Sequence, residues 1–127
     1  MDTLAAGLTS IKMAEARGKK DATIRPASRV LKEVLNILKA EGYVGQFEFV
    51  DNGKSGSFAV KLTGRVNNCG VIRPRFSVKN TEWEKYEERF LPARGVGLLI
   101  VSTSSGIMSH NAAKEKKLGG KLLCFAY

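Results

Sequence analysis

Two stretches of the chain repeat their apolar residues at three- and four-residue steps, and this spacing restricts the fold more than any other feature. The first repeat comprises Leu4, Leu8, Ile11 and Ala14, and the second comprises Val30, Leu31, Val34, Leu35 and Leu38. The spacing predicts two amphipathic helices, one over residues 3–16 and one that begins after an N-cap at Ser28 and ends near Gly42. Because each apolar stripe has to be covered, both helices require a sheet.

Alternating residues in the next part of the chain supply that sheet. Gln46–Val50 and Ser57–Leu62 alternate apolar and polar side chains around a turn-rich segment, 51–56, which predicts a β-hairpin. A short strand over Ala22–Arg25, stopped by Pro26, is expected to join the hairpin at its edge. We therefore predict an N-terminal α/β subdomain over residues 1–64, with two helices on a small three-stranded sheet.

The hairpin turn contains Gly53-Lys54-Ser55, which is similar to part of a phosphate-binding loop. That motif requires a glycine at the position of Glu48, and it opens a helix instead of closing a hairpin. We reject nucleotide binding at this turn.

Residues 65–127 show shorter β segments with two helical inserts, so we predict a C-terminal, mostly-β subdomain and an α+β fold for the whole chain. The predicted elements are a proline-interrupted strand over 71–76, a helix over 82–90 capped by Thr81, a helix over 111–117 capped by Ser109 and ended by Gly119 or Gly120, and a final strand. Helix 82–90 carries four acidic residues. We expect a solvated face with ion pairs to Lys85 and Arg89, and a protein contact is the alternative.

The most distinctive segment follows a buried strand over Gly97–Val101, which delivers four consecutive hydroxyl side chains to a turn at Gly106. The hydroxyl residues are Ser102, Thr103, Ser104 and Ser105. Short hydroxyl groups donate and accept hydrogen bonds without carrying charge, and a glycine beside them allows close approach to a ligand. The alternative is that these residues only form turns and cap a helix.

The charge of the chain points to a polyanionic partner. Twenty-one Lys and Arg residues face twelve Asp and Glu residues, a formal net charge of +9. Residues 1–45, 46–94 and 95–127 each contribute +3, so the charge is not confined to a disordered tail. Positive charge spread over a folded domain favours nucleic acid as the partner. The cations that we expect to touch phosphate are Arg17, Lys19 and Lys20 after the first helix, and Arg73 and Arg75 in the strand over 71–76.

Several other classes are disfavoured by the sequence. No apolar run reaches the roughly 18 residues of a membrane span, and no signal-peptide pattern opens the chain, so we expect a cytosolic protein. Cys69 and Cys124 lie far apart with a single histidine, which suggests packing thiols and predicts neither a metal site nor a cofactor. Ser109 and His110 are adjacent and lack a second histidine or paired carboxylates, so a Ser-dependent hydrolase is a weak alternative. We expect His110 to be solvated or to touch RNA.

Several motifs resemble the small-subunit ribosomal protein S8 family, in its archaeal and eukaryotic form. The signature comprises the loop 102–108, the helix segment 113–117, Leu118-Gly119-Gly120-Lys121 and the ending Phe125-Ala126-Tyr127. Further similar segments are 24–28, 42–49, 68–76 and 91–94, which together span essentially the whole chain. Residues 79–90 resemble the archaeal and eukaryotic form more than the bacterial one.

The resemblance implies a protein that binds a distorted helix in the central domain of small-subunit ribosomal RNA, supports subunit assembly and contacts neighbouring ribosomal proteins. In the family the hydroxyl loop approaches unpaired or rearranged bases, a role carried here to Ser102, Thr103, Ser104, Ser105 and Gly106. Met108 and Lys121, from the same signature, complete the predicted RNA-binding set. A protein-interaction module that uses the acidic helix remains the alternative function.

Overall fold

The computed structural model describes residues 3–25, 27–51, 53, 56–73, 75–93 and 95–127. The helices are α1 (Thr3–Ala16), α2 (Arg29–Ala40), α3 (Trp83–Phe90) and α4 (His110–Glu115). The strands are β1 (Asp21–Ile24), β2 (Val44–Val50), β3 (Ser57–Leu62), β4 (Cys69–Val71), β5 (Ser77–Val78), β6 (Leu98–Thr103), β7 (Gly106–Ser109) and β8 (Gly120–Ala126). The presence of both helices and antiparallel sheets confirms the predicted α+β class.

The chain divides into two compact units, residues 1–69 and 70–127. In the first unit β3 lies between β1 and β2 in an antiparallel sheet, so β1 is the edge strand that the sequence predicts. The stripe of α1 is buried as predicted, with Leu8 and Ile11 at most 1% exposed. The predicted division into subdomains 1–64 and 65–127 stays a prediction.

Helix α2 begins at the predicted cap, because the Ser28 hydroxyl accepts a hydrogen bond from the Leu31 N–H at 3.2 Å. Leu31, Val34, Leu35 and Leu38 are buried. The predicted place of Val30 in the stripe is wrong, since its side chain is 38% exposed. It lies about a quarter turn from the centre of the buried face, and its neighbour Leu31 takes the inward position.

The second unit contains a sheet with the strand order β4-β8-β6-β7. Strand β5 belongs to the same sheet and also pairs with β8. Strand β6 is the centre of this unit, with Leu98 to Val101 at most 2% exposed. One face of the sheet meets α3 and α4 in an apolar core. This core includes Trp83, Tyr86, Leu99, Val101, Met108, Ala113 and Leu122.

The strand predicted over 71–76 is wrong. Val71 is the last residue of β4, and β5 begins at Ser77. The Ile72 N–H donates to the Leu123 carbonyl, and the Leu122 N–H donates to the Phe76 carbonyl, both at 3.0 Å. Because proline cannot donate to a ladder, a proline in the sequence favours a break between two short strands.

Two predicted helix ends are also wrong. Helix α3 begins at Trp83 with Glu82 at the cap position, and Thr81 does not cap it. Helix α4 starts at the predicted cap Ser109, whose hydroxyl accepts from the Ala112 N–H at 3.3 Å. It ends before Lys117, which takes a left-handed conformation (φ 57°), so neither Gly119 nor Gly120 is needed as its terminator.

Candidate nucleic-acid interface

The hydroxyl segment forms the end of the β6–β7 hairpin, where the four side chains take different places. Thr103 pairs with Gly106 across the two strands, which leaves Ser104 and Ser105 as a two-residue turn. Ser102 and Thr103 belong to β6 itself. The side chains of Ser102, Ser104 and Ser105 are exposed, and that of Thr103 is half-buried.

Thr103 holds the turn together from inside. Its hydroxyl donates to the Gly106 carbonyl at 2.8 Å and accepts from the Ser105 N–H at 3.1 Å. Both bonds close within four residues, so they fix the direction in which Ser104 and Ser105 project. Gly106 contributes a positive φ of 115°, a conformation that residues with a Cβ rarely adopt.

Strand register places a polar row beside this turn. Ser102 pairs with Ile107 on one side and with Lys121 on the other, and Lys121 pairs with Ser77. Directly paired residues in an antiparallel sheet point to the same face. Ser77, Lys121 and Ser102 are exposed on that face. The structure therefore brings together Ser102 and Lys121, two residues of the predicted site that are 19 positions apart.

The approach of β8 to β6 at this row depends on Gly120. A Cβ on Gly120 would overlap the carbonyl oxygen of Ser102. The absence of a side chain lets Lys121 lie directly opposite Ser102. The Gly-Gly-Lys sequence therefore positions the cation of the row.

Met108 and His110 lie beneath the hairpin. Met108 is 9% exposed and belongs to the apolar core, so of the predicted RNA-binding residues it is the one that the structure supports least. His110 is 3% exposed, which makes the prediction of a solvated or RNA-contacting histidine wrong.

The imidazole of His110 is held on both nitrogens. Nδ1 accepts the Leu99 N–H at 3.0 Å, and Nε2 lies 3.2 Å from Oε1 of Glu87, which also pairs with Lys114. An acceptor at Nδ1 assigns the proton to Nε2, so the histidine is neutral and donates to Glu87. This network could not be predicted from the sequence, because Glu87 is 23 residues from His110 and no local pattern relates them.

The acidic helix is less solvated than its sequence predicts. The Glu87 side chain is only 15% exposed, so one of the four acids is largely withdrawn from solvent. Arg89 lies over the Phe76 ring at 4.7 Å, and Lys85 lies over the Tyr86 ring at 5.6 Å. Both cations thus contact aromatic faces.

The other predicted cations are exposed and lie in different places. Arg17, Lys19 and Lys20 follow the end of α1 in the first unit, where Gly18 has a positive φ of 70°. Arg73 and Arg75 flank position 74 in the second unit. Within the described part of the chain, the strand pairing given above places the predicted cation Lys121 beside the hydroxyl residues.

The side chains of both cysteines are buried, as expected of packing residues. The Cys69 thiol donates to the Leu8 carbonyl at 3.3 Å. Burial raises the pKa of Cys69 to about 11, against a smaller lowering effect of Lys12.

Among the described residues, no three or more His, Cys, Asp or Glu side chains group together to hold a metal ion. In the same part of the chain, no helix combines the length and apolarity needed to cross a membrane.

An exposed row of hydroxyls and a cation on a basic protein is typical of the nucleic-acid-binding class. The family model for ribosomal protein S8 matches residues 2–127, and the chain belongs to that family. It is therefore a small-subunit ribosomal protein, with ribosomal RNA and ribosomal proteins as its partners and the cytoplasmic ribosome as its location. The family is one of structural proteins, and no enzymatic role is attached to it.

Proposed function

We propose that this chain binds a distorted helix in the central domain of small-subunit ribosomal RNA and supports assembly of the subunit. The observation that carries the proposal is the fixed β6–β7 turn, which presents Ser104 and Ser105 next to the row formed by Ser102 and Lys121. Family membership supplies the kind of RNA, and the geometry supplies the candidate contact surface.

The chemistry of the turn suits a base edge or a 2′-hydroxyl better than a phosphate. A regular A-form helix hides its base edges in a deep major groove, and it displays 2′-hydroxyls in a shallow minor groove. Uncharged hydroxyls donate to and accept from such groups. A distorted helix, whose bases leave the regular stack, exposes the edges that Ser104 and Ser105 would contact.

Lys121 has a different task in this proposal. A lysine ammonium is attracted to any phosphate, so it adds affinity without reading sequence. Because Lys121 pairs with Ser102, a phosphate bound there lies within one strand spacing of the hydroxyl row. The cation thus positions the RNA, and the hydroxyls recognise its local shape.

Arg17, Lys19, Lys20, Arg73 and Arg75 are proposed as further phosphate contacts, since all five are exposed.

We also propose that the chain has the archaeal and eukaryotic form of the family. It is supported by segment 79–90, which contains helix α3 and its contacts with α4 through Glu87.

Hydroxyl-radical footprinting on the protein's own small-subunit ribosomal RNA tests the proposal. We expect protection confined to one irregular helix of the central domain, and its loss with Ser104→Ala/Ser105→Ala. Thr23→Ala, which removes an exposed hydroxyl from β1 in the other unit, is the matched control and should leave the protection unchanged. Protection spread evenly over regular duplex would contradict the proposed role of the turn.

A further inference from the structure

The β2–β3 hairpin of the first unit carries a large aromatic side chain in solvent. Phe49 is 58% exposed, the highest value among the large apolar side chains that the structure describes as exposed. Single exposed apolar residues are common on proteins, so exposure alone assigns nothing. The surroundings of this ring set it apart.

The ring of Phe49 is held in place by its neighbours. Phe49 pairs with Phe58 across the strands, and the two ring centroids lie 6.0 Å apart at an interplanar angle of 69°. Phe58 is itself only 3% exposed, so it is a fixed support. On another side the ring lies against Gly56, where a Cβ would overlap it. Phe49 therefore presents an ordered aromatic surface.

The ring borders a groove with positive lining. The groove has a volume of about 530 Å³ and is lined by Ala27, Ser28, Arg29, Lys32, Phe49 and Phe58. Its described lining includes two cations and no carboxylate. The volume falls in the range of ligand-binding pockets, roughly 300–1,000 Å³.

We propose that this groove binds one unpaired RNA base, stacked on Phe49, with the adjoining phosphates at Arg29 and Lys32. A base has two flat faces, and in a duplex both are covered, so only an unpaired base offers a face to the ring. The two cations match the phosphates on either side of that base. The kind of partner rests on the proposed function, but the site lies in the other unit and uses a different feature of the RNA.

Charge favours RNA over an apolar protein segment as the occupant. A purely apolar partner would leave Arg29 and Lys32 without counter-charges at the edge of the contact, and it would desolvate them in part. A nucleotide supplies both an aromatic face and a negative charge. These are the two properties that the lining presents.

Binding of a single-stranded oligoadenosine to the full chain tests the site, with an oligomer of the same length that carries abasic riboses as a second probe. Phe49→Ala should weaken oligoadenosine binding about 5- to 150-fold, the range measured for base stacking on aromatic residues. It should leave binding of the abasic oligomer unchanged, because that probe keeps the phosphates and lacks the bases. Phe49→Tyr should restore oligoadenosine binding.

Val50→Ala is the matched control, since Val50 is 44% exposed at the adjacent strand position and its side chain points to the opposite face. It should bind both probes as the unchanged protein does. Arg29→Gln/Lys32→Gln should weaken both probes alike. Circular dichroism establishes that each variant is folded.

Equal losses of Phe49→Ala on both probes, or no loss on either, would overturn the stacking site. The second result would favour an apolar protein partner for the ring. The variant Ser104→Ala/Ser105→Ala distinguishes this inference from the proposed function. The proposed function predicts that the variant binds the central-domain helix more weakly, whereas the stacking site predicts that it binds oligoadenosine normally. Failure of either site is thus seen without the other.

Discussion

Hydroxyl residues that are close together in the sequence have different structural roles in this protein. Thr103 spends both its donor and its acceptor on the backbone of its own turn. Ser109 caps α4 and is 8% exposed. Ser104 and Ser105 project into solvent from the turn that Thr103 fixes. The distinction follows from strand register, which the sequence alone does not contain.

The turn hydroxyls therefore allow a test at single-residue scale. Ser104→Ala/Ser105→Ala preserves charge and nearly preserves volume. If the hydroxyls bond RNA groups, affinity for the target helix should fall by about 1–3 kcal/mol, because the RNA partners stay unsatisfied in the interface. The salt dependence should stay the same, since no cation is removed. Filter binding across a salt series measures both quantities.

A regular RNA duplex is the control in that experiment, and its weaker binding should not change. Equal losses on target and duplex would mean that the turn acts on RNA generally, without recognising the distorted helix.

His110 shows where reasoning from the sequence fails at this scale. Its position in the first turn of α4 suggested exposure, yet its ring accepts from the Leu99 N–H and reaches Glu87. Whether a polar side chain is buried depends on partners from distant segments, and here these come from β6 and α3. No periodic pattern in the sequence indicates a contact between such distant segments.

Cys69 supplies a prediction about pH. Its pKa in the folded protein is about 11, raised mainly by burial, against 9.0 for an unperturbed thiol. Below pH 9 both states keep the proton, so the full stability is present. As pH rises from 9 through 11 the unfolded thiol ionises first, and stability should fall, by up to about 2–3 kcal/mol.

Urea unfolding of the unchanged protein and of Cys69→Ala at pH 8 and pH 10.5 measures this effect. The variant loses the contribution of the thiol, so the difference between the two proteins should shrink at the higher pH. A constant difference would show that the thiol is accessible to solvent in the folded state.

At the scale of elements, long periodic segments were predictable and short ones were not. Helices α1 and α2 and the β2–β3 hairpin lie where their apolar spacing places them. Strand β5 has two residues, and its existence depends on pairing with β8, not on its own sequence. The start of α3 likewise differs from the pattern, since Glu82 takes the cap position and its carboxylate accepts from the Lys79 N–H. The sequence predicts a helix or strand only when the segment is long enough for many weak local preferences to add up.

Helix α2 offers a direct test of its buried stripe. Leu35 is fully buried, and Leu35→Ala should reduce the free energy of unfolding by about 2–5 kcal/mol through lost burial and a cavity. Val30→Ala on the same helix is the control, because Val30 is 38% exposed and should change stability by less than about 0.5 kcal/mol. Denaturant melts of both variants provide the measurement. Similar values for the two would mean that the stripe does not form the interface with the sheet.

At the scale of the whole molecule, positive charge is shared by both units. Residues 1–69 carry eleven Lys and Arg against seven Asp and Glu, and residues 70–127 carry ten against five. The hydroxyl turn lies only in the second unit, whereas cations occur in both. This distribution fits a protein in which attraction to RNA is general and recognition is local.

Only part of the candidate site was predictable from the sequence. The hydroxyl run and the net charge can be read directly from the sequence. The placement of Lys121 beside Ser102 follows from the pairing of β6 with β8, and it required the structure. Phe49 gave no signal in the sequence, because an alternating strand predicts which residues share a face and not where that face ends.

The cations after α1 carry the last prediction. Arg17, Lys19 and Lys20 are exposed within four residues of one another, so their charges act on one stretch of RNA backbone. Arg17→Gln/Lys19→Gln/Lys20→Gln should lower affinity for the target helix and for a regular duplex alike. The slope of log affinity against log salt should decrease by slightly less than one unit for each true phosphate contact. Filter binding at several salt concentrations, with circular dichroism as the control for folding, measures the slope. An unchanged slope would show that this cluster lies away from the RNA and that the general attraction comes from other cations of the chain.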